Sequence, residues 1–169
     1  MNPDTERSAY RVSDIAAISR EYVDFLRNLA EVSTAHRQRV SDAGAPFGLN
    51  FCESAILTCL VLDGTVSTVR DIALYLHSAK SLISRGTEHL RQMGYISTFP
   101  SPDDRRVLCL QLTRKAEPVL QALKTCMETF VLEAADGIPP EELAAFKETS
   151  CKLLRNVRQA AQQQNSRNL

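Results

Sequence analysis

Between Ser67 and Thr113, two short helical runs and two alternating runs follow one another with very little chain between them, which leaves few folds open. TVRDIALYL places Val69, Ile72, Ala73 and Leu76 at helical steps, with Ser67 as the expected N-cap. AKSLISRGTEHLRQM follows, with Ser78 as the expected N-cap and Gly94 as the residue that ends the helix. Two short helices joined so briefly make a helix-turn-helix. YISTF and RVLCLQL come next, joined by PSPDDR. Leu108, Leu110 and Leu112 alternate with Val107, Cys109 and Gln111, so the spacing predicts a hairpin anchored in the core by its leucines. A hairpin directly after a helix-turn-helix is a winged helix.

The flanks read as helical. Ile15, Ile18, Tyr22, Phe25, Leu26, Leu29 and Val32 recur at three- and four-residue steps within 13–41, a stripe longer than one small core requires. AGAPFGLN breaks that helix. Asn50 and Glu53 then form the pattern of a capping box, ahead of a helix that buries Ile56, Leu57, Leu60 and Val61 and stops at Asp63-Gly64. Thr113 is the expected cap of a further helix to about Ala135, with Val119, Leu120, Leu123, Met127, Phe130 and Val131 as its stripe. Pro118 is expected to bend or delay its start. After DGIPP, a last helix carries Leu143, Phe146, Leu153, Leu154 and Val157, and the tail QQQNSRNL frays. The fold class is mainly α (α+β). One domain covers 1–169, with a winged helix-turn-helix lobe at 50–113 and helical regions at 10–45 and 114–162.

Hydrophobic residues at 44% and charged residues at 24% suffice for a core without staples. Twenty basic and twenty acidic residues leave no net charge, so attraction to a polyanion has to be local. Over 67–106, Arg70, Lys80, Arg85, Arg91, Arg105 and Arg106 stand against Asp71, Glu88, Asp103 and Asp104, an excess of +2. No stretch approaches the roughly 20 apolar residues of a membrane span. The N-terminus lacks the apolar segment of a secretory signal. Five cysteines without a CxxC pair read as reduced thiols in a cytoplasm. No phosphate loop, HExxH or nucleophile elbow points to an enzyme, and His36, His77 and His89 are too dispersed to suggest a metal site. No cofactor is expected.

A recognition helix reads base edges from near its N-terminus. There the sequence offers Ser78, Lys80, Ser81, Ser84 and Arg85, with Ser81, Ser84 and Arg85 suited to base edges and Lys80 to a phosphate. Arg70, early in the preceding helix, suits a second phosphate or else pairs with Asp71. The plain alternative for the recognition helix is a solvated polar face.

SAKSLISRGTEHLRQMGYIS followed by PDDRRVLCLQLT resembles the MarR family of bacterial transcription regulators. Leu90, Gly94, Tyr95 and Ile96 match one family pattern. Asp104-Arg105-Arg106 and Leu112-Thr113 match the wing pattern, and the order of helices fits from about residue 13 to 160. The resemblance implies a homodimer binding double-stranded DNA at a near-palindromic operator, most often as a repressor. It implies that Arg106 enters the minor groove, that Asp104 orients its guanidinium and that Arg105 lies on the phosphate backbone. A narrow A·T-rich minor groove concentrates negative potential and attracts arginine. The resemblance also implies a small aromatic or phenolic acid effector, with His36, Arg37, Arg39 and Phe47 holding the anion and Tyr22 and Phe25 as apolar walls. Surface charges and core aromatics are the alternative for those six.

Three departures stand out: Gly86 lies inside the recognition helix, Ser97, Thr98 and Phe99 occupy positions where relatives often carry an arginine, and the segment before the first helix of the helix-turn-helix is short and polar. No cysteine occurs in 1–51, which argues against the oxidant-sensing subclass; Cys52 and Cys59 read as packing residues. The competing function is a dimeric winged-helix interaction module with weak or no DNA binding.

Overall fold

The computed structural model describes residues 12–62, 67–102 and 104–167, with side chains over 20–62, 67–102 and 104–164. Helix α1 spans Val12–Gly44, and a short 3-10 turn at Ala45–Phe47 leads to α2, Phe51–Leu62. Helices α3 (Val69–Tyr75) and α4 (Lys80–Gln92) follow, then strands β1 (Ile96–Pro100) and β2 (Leu108–Leu112). A second 3-10 turn, Arg114–Ala116, precedes α5 (Glu117–Ala134), and α6 spans Pro140–Arg167. The chain divides into two compact units, Met1–Met127 and Glu128–Leu169, with the division inside α5. Ile15, Ile18, Asp63, Gly64 and Asp103 lie outside the residues whose side chains are described.

The core of the first unit is built from Ile56 and Leu57 of α2, Ile72 of α3, Ile83 and Leu90 of α4, and Val119 and Leu123 of α5, all essentially inaccessible. Complete burial of such a side chain contributes about 1.5–3 kcal/mol, so this cluster dominates the lobe's stability. Tyr95, Ile96 and Leu110 join the hairpin to it. Helix α2 is the hub and packs against α1, α3, α4 and β2.

Local chemistry explains where the helices begin. Asn50 and Glu53 form the expected capping box: the Asn50 N–H donates to Glu53 Oε2 at 2.9 Å, and the Glu53 N–H to Asn50 Oδ1 at 3.1 Å. At α3 the cap is Thr68 rather than Ser67. The Asp71 N–H donates to Thr68 Oγ1 and the Thr68 N–H to Asp71 Oδ2, a second reciprocal box. Ser67 instead runs beside β2, its carbonyl accepting from the Leu110 N–H at 2.7 Å. Because α3 is one of the shortest helices here, Thr68→Ala is expected to cost about 1 kcal/mol, measurable as a lower urea midpoint. An unchanged midpoint would show that packing of Ile72 alone holds α3.

Helix α4 is capped by Ala79 without a side-chain bond, whereas Ser78 Oγ turns back to the Leu76 carbonyl at 3.2 Å. Gly94, at φ +77, ends it as expected. Thr113 does not cap by its side chain either; its hydroxyl donates to the Gly94 carbonyl at 2.7 Å and ties the base of the hairpin to the end of α4. Pro118 does delay α5, which begins only after the 3-10 turn.

The hairpin pairs Ile96 with Leu112 and Pro100 with Leu108. Its burial departs from the simple alternation. Leu110 is buried and Leu112 half-buried, but Leu108 is 54% exposed because it pairs with Pro100 at the distal end, beyond the core. Cys109 is buried on the opposite face, where Ser67 covers it, with Ser67 Oγ 3.8 Å from its sulfur.

Candidate nucleic-acid interface

Helix α4 has two chemically distinct sides. Ile83, Gly86, Thr87 and Leu90 face the core, and Lys80, Ser81, Ser84 and Arg85 are exposed. Gly86 explains itself: a Cβ there would stand 2.9 Å from Ile56 Cδ1 and 3.7 Å from both Cys52 Sγ and Glu53 Cγ. The helix forgoes roughly 1 kcal/mol of propensity relative to Ala so that α4 can lie directly on α2. Of the branched apolar side chains of α4, Ile83 and Leu90 are buried, while Leu82 is 41% exposed.

The cations divide into engaged and available groups. Arg91 is engaged, with its guanidinium on the Glu88 carboxylate at 2.7 and 2.9 Å. Hydrogen bonds from Arg91 and Gln92 push the Glu88 carboxyl down to about 2, so this pair stays ionised at neutral pH. Lys115 donates to the Met93 carbonyl at 2.7 Å and steadies the C-terminal end of α4. Arg70, Lys80, Arg85, Arg105 and Arg106 are exposed, and among the described residues none of their side chains meets a carboxylate. Arg70 does not pair with Asp71, whose carboxylate is committed to Thr68.

At the wing, Asp104 does not hold the Arg106 guanidinium. Its Oδ1 accepts the Arg106 backbone N–H at 2.9 Å. The Val107 N–H donates to the Asp104 carbonyl and the Ser101 N–H to the Val107 carbonyl, closing the turn. The short carboxylate therefore shapes the backbone from which the arginine side chains project.

Helices α1, α2, α3 and α4 also enclose a cleft of about 450 Å³, lined by His36, Arg37, Asn50, Phe51, Cys52 and Leu82 among others. A neighbouring recess of about 480 Å³ shares Ser33, Arg37 and Phe51 with it. The Arg37 guanidinium lies 4.7 Å from the Phe51 ring centroid. Of the six residues considered for an effector, His36 and Arg37 line the cleft. Tyr22 and Phe25 pair with each other nearer the start of α1, tilted by 33° at 6.5 Å between centroids. Arg39 does not line it, and Phe47 packs on the core, its carbonyl accepting from the Tyr95 hydroxyl. Phe51, missed from the sequence, supplies the aromatic wall because it opens α2 opposite Arg37. Burial and the neighbouring Glu53 carboxylate push the Cys52 thiol up, which disfavours a reactive thiolate.

Residues 52–116 match the family described as a winged helix DNA-binding domain. The arrangement of α2, α3, α4 and the hairpin is that domain. Residues 52–116 thus carry a DNA-binding domain of the winged-helix kind. The HTH-type transcriptional regulator PapX of Escherichia coli is 27% identical over 109 residues, spanning 64% of this chain and 66% of PapX. A MarR family transcriptional regulator from Silicibacter pomeroyi has the same fold, with a TM-score of 0.69 and 19% identity over 88% of this chain and 97% of that one. CouR from Rhodococcus jostii RHA1, crystallised with p-coumaroyl-CoA, superposes with a TM-score of 0.65 at 20% identity, covering 78% of this chain and 90% of CouR. Among the described residues, no single helix is long and apolar enough to cross a membrane.

Proposed function

We propose that this protein is a cytoplasmic homodimeric repressor that binds a near-palindromic operator and releases it on binding a small aromatic acid. The observation that carries the DNA half is the exposed side of α4: Lys80, Ser81, Ser84 and Arg85 stand opposite a fully buried face, without intramolecular partners among the described residues. Ser81, Ser84 and Arg85 read base edges, Lys80 and Arg70 contact phosphates, and Arg105 and Arg106 extend from the wing. The effector half is supported by the cleft, where Arg37 supplies a positive charge and Phe51 an aromatic wall. CouR, with its bound thioester of an aromatic acid, is a precedent for the ligand class.

Selection of bound sequences from random duplexes, repeated with 4-hydroxybenzoate, tests the proposal. An enriched palindrome whose recovery falls with the acid is expected. Absence of enrichment at low salt would mean an interaction module instead. Within the selected operator, Arg85→Ala is expected to relax base choice at its position by about 1–3 kcal/mol. Lys80→Ala should weaken all sequences alike and reduce the salt slope by about 1. Changed sequence preference with Lys80→Ala alone would reverse those two roles.

A further inference from the structure

We infer that Glu53 and His89 form a clamp that sets the pose of the recognition helix and so determines sequence selectivity, a role that rests on the DNA-binding reading of α4. Glu53 is 5% exposed, the only acidic side chain buried among the described residues. A buried carboxylate persists only where its oxygens are satisfied. Each oxygen has its own partner. Oε2 accepts the Asn50 N–H at the start of α2, and Oε1 meets His89 Nδ1 of α4 at 2.7 Å. The contact bridges 36 residues of sequence and joins the hub helix directly to the recognition helix.

Its position matters as much as its strength. His89 lies one helical turn beyond Arg85 and two beyond Ser81, and three residues after Gly86, where a Cβ would meet Ile56 of α2. The close approach at Gly86 fixes the spacing of the two helices. It leaves rotation of α4 about its own axis to be limited by side chains. In the first turn of α4 that restraint is apolar, from the buried Ile83, since Ala79 makes no side-chain cap. The directional, polar restraint comes from the other half of the helix, from Glu53 on His89. A rotation that carries Ser81 and Arg85 off their base edges costs discrimination, whereas contacts to phosphates tolerate it better. His89 is therefore a positioning residue, acting through the pose of α4, and its half-exposed ring can be replaced without opening the core.

The test compares His89→Ala, His89→Asn and wild type on the selected operator and on a scrambled duplex of equal length. Asn places an amide donor close to where Nδ1 sits. His89→Ala is expected to lower the ratio of operator to scrambled affinity by about tenfold while binding to the scrambled duplex stays near wild type. His89→Asn should recover most of that ratio. Proton–nitrogen NMR of the ring should show Nδ1 bonded in wild type and released in Glu53→Ala. A ratio unchanged in His89→Ala overturns the inference, as does equal loss by both His89 variants. Loss of binding to both duplexes by a folded His89→Ala protein also overturns it, since His89 would then contact the backbone itself. Wild type without preference for any duplex would remove the operator reading and this inference with it; scrambled binding intact with selectivity lost separates the two.

Discussion

Arg106→Ala is expected to weaken operator binding roughly 10- to 100-fold per half-site while leaving unfolding and oligomeric state unchanged. Asp104 is bonded to the backbone N–H of residue 106, not to its side chain, so the alanine variant keeps the bond that shapes the wing tip. Arg106 is exposed, and its guanidinium has no carboxylate partner among the described residues, so removing it deletes a charge without orphaning another. The loss therefore falls on the DNA complex alone. Operators with A·T-rich flanks should suffer most, because a narrow minor groove is where an arginine gains most. Asp104→Ala makes the complementary case: it removes the turn bond and leaves both arginines, so its defect should be smaller. Fluorescence anisotropy on one operator and one G·C-flanked variant reads all of this. Wild-type affinity in Arg106→Ala would remove the wing from the interface.

The residues that were legible in the sequence are those whose partners lie within one turn. The Asn50–Glu53 box, the exposed and buried sides of α4 and the Gly94 stop all follow from spacing. The shifted caps show the limit of that logic. Ser67, Thr68, Ser78 and Ala79 differ by one position in sequence, and the choice was made by where each backbone segment runs. Ser67 is held alongside β2, and Ser78 closes the end of α3. The exposure of Leu108 has the same origin, since strand alternation assigns a face but not the distance from the core. Gly86 looked like a weakness in the helix until the position of Ile56 was known. Two contacts across long sequence separations, Glu53 with His89 and Arg37 with Phe51, were outside any periodicity. Glu53 is the one charged residue of FCESAILTCLVL; spacing assigns it to the Asn50 cap but gives no sign of His89.

The larger effect is expected at the ends of the chain. Helix α6 exposes Phe146 at 53%, Leu154 at 57% and Val157 at 58%, and α1 exposes Tyr22, Val23, Leu26, Leu29 and Val32. Apolar side chains repeated at helical steps are the mark of faces that bury themselves against a partner. A homodimer is part of the proposed function, and Leu154→Glu separates an α6 face buried in that dimer from a solvated one. On a solvated helix, replacing an exposed leucine with glutamate changes stability by no more than about 0.5 kcal/mol. At a two-fold interface each substitution enters twice and places two carboxylates where water is excluded. Sedimentation should then report a monomer at micromolar protein, with an unfolding midpoint that no longer rises with concentration. Operator affinity should fall by roughly 10²–10⁴, since linkage of two half-sites, not new contact, supplies that factor. Binding to an isolated half-site should stay near wild type, because the contacts of Arg85 and Arg106 are untouched. A Leu154→Glu protein that remains dimeric and binds the full operator normally would move the interface off this face of α6.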